Sequence, residues 1–169
     1  MGIADAPAIL EKLLQDKLYQ TSLNQDWYRY HQLFQEFLND KLIRHSPEQA
    51  RQLNLKLGQH YAITGSPETA VHHFLKAGDF DRAAAALETF ADMYIEQGRL
   101  DSLYHYLQQF DDLQTYPRLY FIAGQVLRYQ GKLPAAVLQF EGVLRLTTTP
   151  DLAAAALTQL ASIARSRGD

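Results

Sequence analysis

Apolar residues recur at fixed distances from three glycines, Gly65, Gly98 and Gly131, which are separated by 33 residues each by subtraction of their numbers. Four residues before these glycines stand Tyr61, Tyr94 and Leu127. Five residues after them stand Ala70, Leu103 and Ala136, and nine residues after them stand Phe74, Leu107 and Phe140. Apolar positions spaced by three and four on both sides of a turn glycine predict two amphipathic helices folded against each other. We therefore predict a mainly α fold, a right-handed solenoid of antiparallel helical hairpins.

The N-terminal part of the chain follows a different pattern. Apolar spacing predicts a helix over residues 5–17, and β-forming residues fill 18–23 and 27–30 on either side of a polar turn. A helical period resumes at residue 31 and ends at residue 44. A helix, one short β-hairpin and a second helix are typical of the end of a winged-helix domain. The sequence thus predicts two domains, residues 1–45 and residues 46–169.

The last predicted helix repeats the spacing of an earlier one. The N-terminal side of Gly168 carries Leu157, Leu160, Ala161 and Ala164. These residues lie at the same distances from Gly168 as Leu87, Phe90, Ala91 and Tyr94 lie from Gly98. The fourth unit therefore ends after its first helix, and we expect the chain to be a fragment with about three and a half repeats. An unpaired first helix leaves an apolar face uncovered, so we expect a homodimer or an exchanged terminal helix at this end.

The composition argues against several classes of function. The formal net charge of -3 gives no basic surface for phosphates, so we expect no direct DNA contact by this chain. The sequence has no cysteine, which removes disulfides, thiolate metal sites and thiol nucleophiles. No apolar run approaches the roughly 18 residues of a membrane span, and no basic segment with an apolar core opens the chain. We expect a cytoplasmic protein without membrane contact.

Histidines and carboxylates do not form a catalytic or metal-binding pattern. His72 and His73 are adjacent and point to different faces of a helix, and no carboxylate lies at ligand spacing from them or from His60. Asp111 and Asp112 are better explained as caps in a link between helices than as an acid and base. We therefore predict no metal site, no catalytic residue and no enzyme activity.

The spacing around the glycines resembles the tetratricopeptide repeat. Gly58 and Gly124, each seven residues before a turn glycine, match the small residue of that repeat where its two helices cross. The resemblance covers residues 51–168. It departs from the repeat at Asn54, where a bulky residue is expected, and at Leu103 and Leu107, where an alanine and an aromatic residue are expected.

A second resemblance lies in the string WYRYHQLFQEFL, Trp27–Leu38. It resembles the W-Y-R-[FY]-H-x-L-F-x-x-[FL]-L signature of MalT-like STAND signal-transduction ATPases. Such proteins join a nucleotide-binding domain to a winged helix, a helical-repeat arm and often a LuxR-type DNA-binding tail. The sequence contains no G-x-x-x-x-G-K-[ST] loop, so we expect no cofactor in this chain and ATP or ADP only in the parent protein.

The resemblance also implies a role for one histidine. His31 corresponds to a residue that contacts the bound diphosphate and holds the resting state in this family. A histidine at a helix N-terminus is suited to an anion. The alternative is that His31 packs against Trp27 and Phe34 in the hairpin core.

The concave groove of the predicted solenoid is the candidate binding surface. Residues of the first helix of each unit, off the packing positions, line such a groove; they are Gln59, Glu88, Asp92, Ile95, Phe121, Gln125, Arg128, Tyr129 and Arg165. Phe121, Arg128 and Tyr129 beside two carboxylates combine aromatic and polar groups, as recognition surfaces do. The alternative is an ordinary solvated helix face.

Two functions remain open from the sequence. The first is a non-catalytic sensor arm of a MalT-like regulator, which binds a small-molecule, peptide or protein effector and couples it to the nucleotide-binding domain. The second is a constitutive scaffold that docks a peptide or helix of a partner protein, without a nucleotide switch. The identity of the effector is not encoded in a recognisable motif.

Overall fold

The computed structural model describes residues 20–24, 27–30 and 32–167, and it is mainly α-helical. The helix predicted over residues 5–17 lies outside the described residues, as do His31 and Gly168. The chain divides into two compact units, Met1–Ala50 and Arg51–Asp169.

In the described part of the first unit, two strands are followed by a helix. Strand β1, Gln20–Asn24, pairs antiparallel with β2, Trp27–Tyr30, and the register is irregular between Ser22 and Asn24. Helix α1, Gln32–His45, follows the second strand. Two basic residues, Arg44 and His45, lie in the last turn of α1, where positive charge interacts favourably with the helix dipole.

The rest of the described chain consists of helices joined by short turns. They are α2 (Pro47–Ile63), α3 (Pro67–Lys76), α4 (Phe80–Glu96), α5 (Leu100–Leu107), a 3-10 helix (Leu113–Thr115), α6 (Pro117–Tyr129), α7 (Leu133–Leu146) and α8 (Pro150–Arg167). A proline opens α2, α3, α6 and α8, at the position where its missing N–H costs nothing. Asp79 caps α4, since its side chain accepts a hydrogen bond from the Arg82 backbone N–H at 3.1 Å.

The three turn glycines adopt positive φ angles, 80° at Gly65, 70° at Gly98 and 75° at Gly131. Glycine is the residue that takes this conformation without steric cost. Behind Gly98, the Arg99 N–H donates to the Tyr94 carbonyl oxygen at 2.8 Å. This bond belongs to the C-terminal cap known as the Schellman motif. The cap explains why an apolar residue stands four positions before each glycine, because that residue packs at the start of the last helical turn.

Two of the hairpins repeat one close contact. A Cβ atom on Gly58 would lie 2.6 Å from Phe74 Cδ1, and a Cβ atom on Gly124 would lie 2.7 Å from Phe140 Cε1. Separations this short exclude a side chain at either glycine unless the ring moves. Helix α2 therefore crosses α3 where Gly58 meets Phe74, and α6 crosses α7 where Gly124 meets Phe140. In both hairpins the glycine lies seven residues before the turn glycine and the phenylalanine nine residues after it.

The core of the second unit consists of two clusters of buried residues. The first cluster lies mainly between α3, α4, α5 and α6 and includes Leu87, Tyr94 and Leu103. The second lies between α6, α7 and α8 and includes Phe140 and Ile163. Helix α6 contributes residues to both clusters, and α4 and α6 also contact each other directly.

One side of α8 stays uncovered. Leu152, Ala156 and Ile163 are buried, whereas Leu157 is 55% exposed and Ala164 is also exposed. Both exposed residues belong to the face that the sequence predicts to be bare.

Candidate functional site

The predicted groove residues divide into three groups by burial. Those exposed to solvent are Gln59, Glu88, Asp92, Tyr129 and Arg165; those half-buried are Ile95, Gln125 and Arg128; and Phe121 is buried. The exposed ones remain a predicted binding surface. Tyr129, at 59% exposed, is the aromatic side chain of this set that an effector or partner can reach.

Phe121 corrects the sequence prediction. It is 4% exposed, and its ring centroid lies 5.4 Å from that of Phe140. The core cluster that holds both rings also includes Leu152 and Ala156 of α8. Because the Phe140 ring of α7 packs on it, Phe121 is a core residue and contributes no free surface. Ile95 is likewise engaged, since it packs against the first core cluster.

Arg128 also has a different role from the predicted one. Its Nη2 donates to Ser162 Oγ at 3.0 Å, and its Nη1 donates to Gln159 Oε1. The guanidinium therefore joins α6 to α8 and has its donors directed to protein acceptors. Neither Gln159 nor Ser162 was recognisable from the sequence, because their partner is about 30 residues away (31 and 34 positions) on another helix.

The structure places a small charged patch between α4 and α6. Arg118 Nη2 lies 3.8 Å from Asp92 Oδ2, and the side chains of Arg118 and Asp92 are 45% and 67% exposed. Partial desolvation raises the pKa of the nearby Glu88 carboxyl, although the residue is largely exposed, and the positive charge of Arg118 opposes that rise. An exposed ion pair of this kind contributes about 1 kcal/mol or less. Arg118 can therefore exchange Asp92 for the carboxylate of a bound ligand at little cost.

Gln125 adds an unused acceptor on α6. Its Oε1 atom is buried and accepts no hydrogen bond from the described residues. A buried acceptor left without a donor costs about 1–3 kcal/mol. Because this oxygen is buried, Gln125 contributes no accessible acceptor to the predicted groove.

A second hollow lies between α3 and α5, on helices that the sequence treats as packing elements. We call it the α3–α5 cleft; it has a volume of about 500 Å³ and is lined by Glu68, Thr69, His72, His105, Tyr106 and Gln109. His105 and Tyr106 also line an adjoining hollow of about 400 Å³, which extends to Arg99, Asp101 and Ser102. The cleft could not be predicted from the sequence, because its lining residues come mainly from α3 and α5, which are separated along the chain by α4.

Tyr94, which lines the adjoining hollow, is held by polar contacts. Tyr94 Oη donates to Glu68 Oε1 at 3.3 Å, and the Arg99 guanidinium carbon lies 3.8 Å from the centroid of the Tyr94 ring. Burial, and then the charge of Glu68, raises the pKa of both Tyr94 and Tyr106. Both phenols therefore stay protonated at neutral pH and act as hydrogen-bond donors.

The histidines and aspartates weighed above have structural partners. His73 Nδ1 lies 2.9 Å from Asn54 Oδ1, and the His73 ring stacks on Tyr61. This contact with His73 explains why Asn54 occupies a position where the repeat usually has a bulky residue. As predicted, Asp112 is a cap: its side chain accepts from the Gln114 backbone N–H at 3.1 Å. Among the residues that the structure describes, no group of three His, Cys, Asp or Glu side chains is arranged to hold a metal ion.

We predict that the stability of the chain falls as the pH drops below about 6.5, the ordinary pKa of histidine. Burial, then His72 and Lys76, lower the pKa of His73 in the folded state. The unfolded chain therefore binds more protons below that pH, and stability that is complete above it is lost on acidification. Urea unfolding at pH 7 and pH 5.5 should show this loss. A His73→Gln variant should lose less over the same interval, and an identical loss would exclude His73 as the cause.

Comparison with known proteins gives one match. Residues 1–50 match the family model of the MalT winged helix domain. Among curated proteins, none matches the chain. The match supports a MalT-like protein and covers the stretch that contains His31, although His31 itself lies outside the described residues. In the part of the chain that the structure describes, no helix has both the length and the apolar content that crossing a membrane requires.

Proposed function

We propose that this chain is the non-catalytic sensor arm of a cytoplasmic, LuxR-type STAND regulator. One observation carries the proposal: a stretch that matches the MalT winged helix domain is followed in sequence by paired helices with a recurring glycine–phenylalanine crossing. Such recurrence supports a tetratricopeptide-like solenoid. In this proposal the parent protein also contains a nucleotide-binding domain and a DNA-binding tail.

The described surfaces support effector binding by this arm. The α4–α6 patch offers an arginine whose ion pair with Asp92 is weak and exposed. The α3–α5 cleft adds the Tyr106 phenol beside the Glu68 carboxyl group. An effector must bind the active arrangement of the regulator more tightly than the resting one, since equal affinity shifts no equilibrium.

Within the proposal, the nucleotide is held mainly outside this chain. No phosphate-binding G-x-x-x-x-G-K-[ST] loop occurs in the sequence, so ATP or ADP would be held by the preceding nucleotide-binding domain. Within the proposal, His31 is the residue of this chain that meets the diphosphate. Its hydrogen bond to a charged oxygen would be worth about 1.5–3 kcal/mol.

The test uses the coding sequence upstream of Met1. We expect a phosphate-binding loop there, and we expect the polypeptide that includes it to retain ADP. In that polypeptide His31→Ala should weaken ADP binding by about tenfold or more, as measured by calorimetry. The matched control is His45→Ala, an exposed histidine of α1, which should leave ADP affinity unchanged.

The same experiment separates the sensor from the second candidate. The Arg128 bridge to Gln159 and Ser162 joins α6 to α8 through the chain's own side chains, which suits a constitutive scaffold with a preformed surface for a peptide or helix. A scaffold requires no nucleotide switch. An upstream sequence without the loop, or ADP affinity unaffected by His31→Ala, would support the scaffold and contradict the sensor.

A further inference from the structure

The α3–α5 cleft and the hollow that adjoins it present one charge of each sign. The two hollows share His105 and Tyr106, and Glu68 lines the first while Arg99 lines the second. Their volumes of about 500 Å³ and 400 Å³ fall in the range of small-molecule sites, about 300–1,000 Å³. Together the hollows are large enough for a small molecule that extends from Glu68 to Arg99.

Glu68 is a half-buried residue whose carboxylate has no cation beside it. Its Oε1 accepts a long hydrogen bond from Tyr94 Oη, at 3.3 Å, and among the described residues no basic side chain forms an ion pair with it. His72 follows four residues later on α3, but partial desolvation, and then Lys76, lower its pKa, so it is neutral at pH 7. Because Glu68 lines the cleft, the ammonium group of a ligand can reach it and form a charge-assisted hydrogen bond.

Arg99 supplies the opposite charge in the adjoining hollow. Its guanidinium carbon lies 3.8 Å from the centroid of the Tyr94 ring, and this cation–π contact holds the group over the ring face. In the part of the chain that the structure describes, the Arg99 side chain forms no ion pair and donates no hydrogen bond. The planar guanidinium fork is suited to a carboxylate, which it binds through two parallel hydrogen bonds. Arg99 can therefore receive the anionic group of a ligand.

Two tyrosines connect these charges. Tyr94 contacts both, since its hydroxyl group binds Glu68 and its ring carries Arg99. Tyr106 lines both hollows; burial, and then Glu68, raises the pKa of its phenol, whereas Arg99 opposes that rise. The carboxylate and the guanidinium thus lie on either side of the same pair of aromatic rings, and they do not form an ion pair with each other.

Asp101 is a third charged residue at this place. It lines the adjoining hollow, and its Oδ1 accepts a hydrogen bond from Gln130 Nε2 at 3.2 Å. The negative charge of Asp101 opposes an anion beside Arg99, so it lowers the affinity for the anionic group of a ligand.

We propose that the α3–α5 cleft and the adjoining hollow bind a small zwitterion, with its ammonium group on Glu68 and its carboxylate on Arg99. An amino acid with widely separated charges and a short peptide with free termini share this chemistry. The proposal names the class of effector for the sensor arm, and it rests on the proposed function only in calling this ligand an effector. A ligand with one of the two charges leaves either Glu68 or Arg99 without a partner and should bind more weakly.

Titration of the chain with ε-aminocaproate, followed by NMR, tests the proposal. We expect saturable binding with a dissociation constant on the order of 1 mM, with chemical-shift changes at the rings of His105 and Tyr106. Caproate and hexylamine have the same carbon chain and one charge each, so they should bind about tenfold more weakly. Triglycine distinguishes the two sources of the ligand, because it should bind more tightly than ε-aminocaproate if the site accepts peptides and less tightly if it accepts amino acids.

Two outcomes of these titrations would overturn the proposal. The first is the absence of saturable binding of both ε-aminocaproate and triglycine up to about 10 mM. The second is binding of caproate or hexylamine as tight as that of ε-aminocaproate, since one of the two charges would then contribute nothing.

Charge-neutralising variants locate the two ends of the ligand. Glu68→Gln keeps an acceptor for Tyr94 Oη, and Glu68→Gln and Arg99→Gln should each weaken ε-aminocaproate binding by about tenfold. The matched controls are Glu141→Gln and Arg145→Gln, at exposed residues of α7, which should leave the affinity unchanged. Circular dichroism should show all four variants folded. Unchanged affinity in Glu68→Gln or in Arg99→Gln would exclude that residue and with it the proposed site.

Asp101→Asn provides a test with the opposite sign. It removes the charge that opposes the ligand's carboxylate and keeps an acceptor for Gln130, so it should strengthen ε-aminocaproate binding. Weaker binding in this variant would contradict an anionic group beside Arg99. These measurements use the chain without nucleotide, so their failure leaves the ADP test with His31→Ala unaffected. Failure of the ADP test would likewise leave zwitterion binding in place, as the property of a scaffold.

Discussion

Replacing Phe140 by alanine is expected to lower the free energy of unfolding by about 3–5 kcal/mol. The Phe140 side chain is 0% exposed, its ring covers Gly124, and it packs on Phe121. Truncation removes these contacts and leaves a cavity, because neighbouring helices relax only in part. Urea unfolding followed by circular dichroism measures the change.

The control for this variant lies on the same helix. Leu138 is 62% exposed, so Leu138→Ala should change the free energy of unfolding by no more than about 0.5 kcal/mol. If Phe140→Ala cost no more than this control, α7 would not pack on α6 through this ring, and the hairpin described above would be wrong.

Introducing a side chain at Gly124 is expected to destabilise the chain by about 1–3 kcal/mol. A Cβ atom there would lie 2.7 Å from Cε1 of Phe140 and 3.0 Å from its Cδ1. The ring is fully buried and has no free space to enter. Gly124→Val should therefore force a backbone or ring displacement that its better helix propensity does not offset.

A double-mutant cycle isolates this contact. In the Phe140→Ala background the valine enters the space that the ring vacates, so the cost of Gly124→Val should shrink or change sign. The equivalent pair, Gly58 with Phe74, should behave in the same way. Equal costs of Gly124→Val in both backgrounds would contradict a direct clash.

The spacing of residues predicted the hairpin turns and crossings because local rules determine them. Glycine at positive φ marks a turn wherever it occurs, and the absence of a Cβ atom marks close helix contact. These constraints act within one hairpin, so a single sequence shows Gly98, Gly124 and Phe140 in their roles. Handedness and continuity of a solenoid depend on contacts between hairpins and remain part of the proposal.

The candidate site was less predictable because it depends on which helices cover one another. Offset from the turn glycine placed Phe121 and Arg128 on the first helix of a unit. It gave no indication that Phe121 is buried in a core cluster or that Ser162 of α8 accepts a hydrogen bond from Arg128. Arg118 was missed because its partner Asp92 lies on a different helix. The α3–α5 cleft likewise exists only after Glu68 and Tyr106 are brought together by folding.

Helix α6 supplies Leu119, Ile122 and Val126 to one core cluster and Phe121 and Leu127 to the other. Because both clusters contain α6 residues, unfolding of one cluster also removes α6 from its packing in the other. The unit from residue 51 onwards should consequently melt in a single cooperative step rather than fray hairpin by hairpin. Rigidity gained at one end of the unit is then shared with the opposite end.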